Sequence, residues 1–282
     1  MNSEFKYREI ISALYRAILR REPDEQGLKF YSEHLEKNGP NDIPAIVYTF
    51  INSEEYINRN APGNLELSSM LKRIIAPDDE FLYISLGTHC YTGSLLKQCG
   101  KKNKSHPFDW IFSTPEMVAH CLETDFSEFL RREHYDPVPE DKRPHGKEVN
   151  LCQHTYYLKS HGVHFVFNHH NPINDEDYSY LTRCVERFRM DRESELEKKY
   201  VMFTRHCSEA TFHRLLAALP SSKSRLLCIL VNDARTGFGW NEKLRVGPSR
   251  LLEYQSKSPW GGLEFADPID DLLLAKLITE HY

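Results

Sequence analysis

The sequence predicts an α/β fold: a mainly parallel, three-layer sheet domain preceded by a small all-helical N-terminal domain. From residue 81 onward, short apolar and aromatic runs alternate with segments of helical periodicity, as in parallel strands covered by helices. The first sixty residues read entirely as helices. Between the two stretches, Asn60-Ala61-Pro62-Gly63-Asn64 is a turn-rich break, so the expected division is 1–62 and 63–282.

In the N-terminal part, Phe5, Ile10, Ile11, Leu14, Ile18 and Leu19 fall at helical spacing. Pro23 and Gly27 punctuate the pattern before a second helix over 28–37, and Asn38-Gly39-Pro40 ends it. A third helix covers 43–50, and Ser53 is placed to cap a short last one. Further helices are expected at 67–75, 91–99, 115–131, 176–197 and 208–219, with strands at 81–86, 163–167, 200–204 and 225–231. A short strand at 263–265 precedes a closing helix over 269–280, with Asp267 as N-cap and Pro268 at its first position. Residues 134–155 and 232–262 read as long irregular loops.

A chain of 282 residues can bury a large core without disulfides. Its net charge of −5 supplies no field that would draw nucleic acid, and no apolar run approaches the roughly 18 residues needed to span a bilayer. Met1 is followed by Asn2-Ser3-Glu4-Phe5-Lys6 rather than a basic-then-apolar leader, so a cytoplasmic location is expected. The seven cysteines are widely spaced and never form CxxC, and no HxxxH spacing occurs on a helix, which argues against disulfides and against a metal site. Lys101, Lys102 and Lys104 read as a solvated loop.

The chemistry concentrates where the strand at 81–86 runs into Gly87-Thr88-His89-Cys90 and the following helix. A cysteine at a helix N-terminus meets unpaired N–H groups and the positive end of the dipole, which favour its thiolate. The same N–H groups suit a developing oxyanion, so the segment fits acyl chemistry. A strand at 163–167 running parallel to 81–86 would deliver His169 to the same rim as a general base. Arg205 and Asp233 follow the next two strands and would join that rim, with Arg205 able to hold a carboxylate or phosphate. Asp109, between Phe108 and Trp110, needs a partner if buried, either His169 or His106.

Ser85-Leu86-Gly87-Thr88-His89-Cys90, Pro107-Phe108-Asp109-Trp110, Asp125-Phe126, Phe167-Asn168-His169, Arg187-Phe188 and Val201-Met202-Phe203-Thr204-Arg205 together resemble a bacterial family labelled putative papain-like cysteine peptidase, over about 80–232. The resemblance implies Cys90 as nucleophile, His169 as base and Asp109 as orienting acid, and Gly87, Thr88, His89, Trp110, Arg205 and Asp233 are the expected substrate-binding residues around them. Members of that family carry an aspartate after the histidine of the second motif, where this chain has His170. A papain-type fold sets its nucleophile helix against an antiparallel barrel, whereas the strand and helix alternation here is closer to Rossmann or SGNH-like hydrolases and acetyltransferases. Both readings share acyl transfer from a donor to water, a sugar hydroxyl or an amine.

Residues 5–58 resemble a bacterial helical module similar to phycobilisome linker domains, through Leu14-Tyr15-Arg16, Leu19-Arg20-Arg21-Glu22-Pro23-Asp24, Gly27-Leu28 and Phe50-Ile51-Asn52-Ser53-Glu54-Glu55-Tyr56. Such modules accompany surface-glycan assembly, which implies docking to a protein partner. The leading expectation is thus a cysteine-dependent acyl hydrolase or acyltransferase that needs no cofactor and acts on a small-molecule, glycan or peptide substrate. The rival is non-covalent binding of a nucleotide, nucleotide sugar, coenzyme A or sugar phosphate at the Gly87–Cys90 turn, and a third is a binding module without catalysis.

Overall fold

The structure, a computed structural model, describes residues 3–51, 53, 55–56, 81–143, 151–220, 223–232 and 239–280. The expected helix at 67–75, the boundary near residue 63 and Asp233 lie outside them.

The N-terminal helices are α1 (Ser3–Leu14), running into a single π-turn at Tyr15–Leu19, then α2 (Glu25–Asn38) and α3 (Ile43–Ile51). Asp24 caps α2 by accepting from the Gly27 N–H at 2.7 Å, which satisfies one of the helix's unpaired donors. Ile11, Ile18, Leu35, Ile46 and Phe50 point inward and form one contiguous core with the last helix of the chain.

The α/β part begins with β1 (Phe81–Ser85) and α4 (Cys90–Gln98), followed by α5 (Pro115–Glu123). The expected helix over 115–131 stops at Glu123 because Asp125 and Phe126 take positive φ (45° and 63°). Arg189 and Arg192 hold the Asp125 carboxylate in that conformation at 3.0 and 3.3 Å. The region read as irregular contains a small antiparallel pair, β2 (Tyr135–Pro137) with β3 (Cys152–His154), and then α6 (Thr155–His161). Next come α7 (Asp175–Glu193), β4 (Glu197–Thr204), α8 (Glu209–Ala218) and β5 (Ser224–Asn232). A hairpin of β6 (Gly239–Val246) and β7 (Ser249–Gln255) and the closing α9 (Pro268–Glu280) complete the chain, with Asp267 accepting from the Ile269 N–H as expected of its cap.

The main sheet has the order β1-β4-β5-β7-β6, parallel throughout except for the antiparallel edge β6. Alternation along β4 builds two cores: Val201 and Phe203 face α4, α9 and the N-terminal helices, while Tyr200 and Met202 face α5, α7 and α8. Each buried side chain of this size stabilises by about 1.5–3 kcal/mol relative to exposure. The order of the parallel strands never reverses, and β1 is an edge.

Two expected strands are missing, and residues 263–265 contribute only an isolated antiparallel bridge between Phe265 and Trp260. Val163–Phe167 does not enter the main sheet, and Phe167 makes only isolated antiparallel bridges to Ile111 and Cys152. The alternating apolar pattern that suggested a strand serves burial instead: Val163, Val166 and Phe167 plug the lower core under α6 and α7.

Candidate functional site

Past its last paired residue, β1 continues through a Leu86 N–H bond to the Val201 carbonyl (2.8 Å) and then turns sharply. A Cβ on Gly87 would stand 2.8 Å from the His89 carbonyl oxygen, so the turn requires glycine. The Thr88 hydroxyl donates to the Phe203 carbonyl at the end of β4 (3.0 Å), and Ser113 fixes the turn from above by donating to the carbonyls of Gly87 and Thr88. His89 is extended (φ −154°, ψ 176°) and provides no side-chain cap, and α4 starts at Cys90.

Cys90 is 4% exposed, and its Sγ lies 3.3 Å from Nε2 of His169. His169 arrives on a loop rather than from a strand, so the argument from parallel strand polarity does not explain its position. The loop is held by two bonds between Phe167 and Cys152 (3.0 Å each) and by the Phe112 N–H bond to the Val166 carbonyl (2.8 Å). The Trp110 ring stands edge-on to the His169 imidazole, centroids 6.1 Å apart.

Asp109 is fully buried, but its carboxylate meets neither candidate imidazole. One oxygen accepts from Lys102 Nζ (2.8 Å) and from the His106 backbone N–H (2.6 Å), and the other has no hydrogen-bond partner among the described residues. A Cβ on Gly93 would come within 3.1 Å of Asp109, so the Pro107–Trp110 segment packs directly on α4. The His106 ring is instead oriented by Asp191 (2.7 Å) and accepts from Lys102 at Nδ1 (2.8 Å), which leaves the proton on Nε2. Burial lowers the basicity of both His106 and Lys102. Of the lysines read as a solvated loop, Lys102 is instead drawn into the interior with its side chain 5% exposed, while Lys104 stays exposed and pairs with Asp191 (2.6 Å).

On the other side of Cys90, the Arg205 guanidinium lies over the Trp260 ring (5.2 Å to its centroid), and Trp260 meets His89 edge-on at 4.5 Å. Burial and the charge of Arg205 push His89 down to about 4, so it is neutral at physiological pH. Thus Gly87, Thr88, His89, Cys90, His169, Trp110 and Arg205 gather around the carboxyl ends of β1 and β4, while Asn232 ends β5. Sequence reasoning missed Gly93, Lys102, Asp191 and Trp260. A glycine inside a short helix costs about 1 kcal/mol relative to alanine and so was a signal of close approach at Gly93. Among the described residues, no group of three or more His, Cys, Asp or Glu side chains is disposed to hold a metal ion.

A mostly parallel sheet carrying a cysteine and a histidine at its carboxyl edge describes a class of α/β proteins with a candidate thiol site. Within that class the chain belongs to the family described as "putative papain-like cysteine peptidase" (DUF1796), whose model matches residues 81–228. Residues 2–60 match a domain of unknown function (DUF4214). No curated protein and no solved structure matches the chain. Among the described residues, no helix is long and apolar enough to cross a membrane.

Proposed function

We propose that the protein is a cysteine-dependent acyl hydrolase or acyltransferase in which Cys90 is the nucleophile and His169 the general base. The observation that carries this reading is the 3.3 Å approach of Cys90 Sγ to His169 Nε2 at the first residue of α4. Proton transfer from Sγ to Nε2 gives a thiolate, favoured by the helix N-terminus, beside an imidazolium that the thiolate's charge stabilises. The thiolate attacks the carbonyl carbon of the donor, and first-turn N–H groups of α4 bind the oxyanion. Collapse breaks the bond to the leaving group, which departs with the proton from His169. A water, hydroxyl or amine then gives its proton to His169, attacks the thioester carbon and releases the acyl product with the thiol restored. Trp110 fixes the imidazole edge, and the Lys102–Asp109 pair holds the segment that carries Trp110.

Alkylation by iodoacetamide, followed cysteine by cysteine by mass spectrometry on the native chain, tests the assignment. An ordinary thiol is only about 3% ionised at pH 7, so a fully formed thiolate, allowing for its lower intrinsic nucleophilicity, should react about tenfold faster than a model thiol. His169→Ala should erase that advantage. A Cys90 that alkylates no faster than the model thiol would remove the nucleophile assignment.

A further inference from the structure

The turn that presents Cys90 is bordered by a guanidinium seated on an indole ring. Arg205 is exposed and follows Thr204 at the carboxyl end of β4, the strand paired with β1. The bond from Thr88 to the Phe203 carbonyl ties that strand end to the turn that presents Cys90. Its guanidinium is not left to wander, because it rests on Trp260, a ring only 8% exposed. Trp260 is held in turn by Tyr91, Phe203 and Phe265. The surrounding loop is pinned by Asp270, which accepts from the Lys257 and Ser258 N–H groups, the Ser258 hydroxyl (2.7 Å) and the Tyr254 hydroxyl (2.8 Å). A guanidinium supported this way loses little rotamer freedom on gripping a planar anion.

The second observation is the charge state of the neighbour. His89 lies between Trp260 and Phe112 with its Nδ1 3.0 Å from the Thr88 hydroxyl, and it stays neutral at physiological pH under the charge of Arg205. A neutral imidazole adds a hydrogen-bonding group without a second positive charge. Next to the turn that presents Cys90, the guanidinium of Arg205 and the amino end of α4 are thus the groups suited to meet an anion.

We infer that Arg205, Trp260 and His89 form a subsite for an anionic group, carboxylate or phosphate, on the acyl donor. The inference rests on the acyl-transfer reading of Cys90 and adds the substrate class: donors that carry a negative charge near the scissile carbonyl. The guanidinium holds the anion in a two-pronged contact, and Trp260 and Phe112 form an apolar wall beside it.

Two alkylating reagents of similar size and opposite character separate the ideas on the full chain. Iodoacetate carries a carboxylate and iodoacetamide does not. The ratio of their rates at Cys90, measured at pH 7 and low salt, should exceed the ratio for a neutral model thiol by about tenfold and should shrink as salt is added. Arg205→Gln should bring the ratio down to that of the model thiol. An independent readout is a titration with inorganic phosphate or acetate followed by tryptophan fluorescence, where saturable quenching should be present in the native chain and lost in both Arg205→Gln and Trp260→Leu. If Cys90 reacts with both reagents at a ratio that Arg205→Gln leaves unchanged, the anion subsite is wrong and the acyl-transfer reading stands. If Cys90 reacts with neither, the acyl-transfer reading falls, and the fluorescence titration alone decides the subsite, absence of saturable quenching overturning it.

Discussion

The residue immediately after the candidate nucleophile couples the site to protonation. Tyr91 donates to Asp271 at 2.7 Å, and the other carboxyl oxygen of Asp271 accepts from the Phe265 N–H at 3.2 Å. Burial, aided by the nearby Asp270 and Glu264 charges, raises Asp271 to about 7 against the bonds from Tyr91 and Phe265 that favour its anion. Because the folded value lies above the ordinary 3.8, the contribution is fully present below that pH and is lost as pH rises through 7. Stability measured by urea unfolding should therefore fall between pH 4 and pH 7 with a slope worth about one proton, and Asp271→Asn should flatten that part of the curve. Equal slopes in the two proteins would show that Asp271 titrates in the folded state as it does in the unfolded chain. At this scale the sequence was readable where chemistry and local geometry coincide. Gly87 and Cys90 could be placed from one strand, one glycine and one helix. The network around Asp109 could not, because Lys102 is close in sequence but looks like any surface lysine, and Asp191, which holds the His106 ring, lies far along the chain on α7.

Among the elements, the outcome turned on whether burial or pairing shaped the apolar runs. β4 and β5 are buried on both faces and announce themselves as continuous apolar strands. β6 carries Asn241, Glu242, Lys243 and Arg245 on an exposed edge, so its sequence lacks the signature of a strand although it pairs along its length with β7. Val163–Phe167 shows the opposite failure, an apolar alternation that fills a core without joining a sheet. What joins the loop of Trp110 to α4 and α7 is the chain Lys102, Asp109, His106 and Asp191, all buried and bonded at 2.6–2.8 Å. Removing one partner of a buried pair strands the other charge, so Asp109→Leu should destabilise by about 3–5 kcal/mol. Lys102→Met combined with Asp109→Leu should recover much of that loss, since it removes both charges together. The comparison is made by denaturant midpoints. A double variant no more stable than Asp109→Leu alone would mean that packing of the segment against Gly93, rather than charge pairing, dominates.

Across the whole molecule, the helical N-terminus and the sheet domain are not independent in their packing. Ile11, Ile18, Leu35, Ile46 and Phe50 share one core with Tyr83, Tyr91, Leu95, Phe203 and the α9 residues Leu274, Leu277 and Ile278. The opposite face of the sheet is sealed separately by α5, α7 and α8. The sequence break at 60–64 marks the expected division into 1–62 and 63–282, and the helices before it share a core with the larger part through contacts distant in sequence. A chain spanning 63–282 would leave the apolar outer side of α9 in water. Exposed apolar area costs about 25 cal/mol per Å², so even 200 Å² left uncovered removes about 5 kcal/mol, comparable with the whole stability of a typical domain. That fragment should therefore unfold at a clearly lower temperature than the full chain and bind a hydrophobic dye in its native baseline. The loss should reach Cys90, because α4 lies between α9 and the sheet: Tyr91 and Leu95 stand in the core that the N-terminal helices close. Iodoacetamide should accordingly modify Cys90 and the neighbouring Cys99 of the fragment at similar rates, while in the full chain Cys90 alone is fast. A fragment with unchanged thermal midpoint and undiminished selectivity for Cys90 would establish the helices as an appendage that the sheet domain does not need.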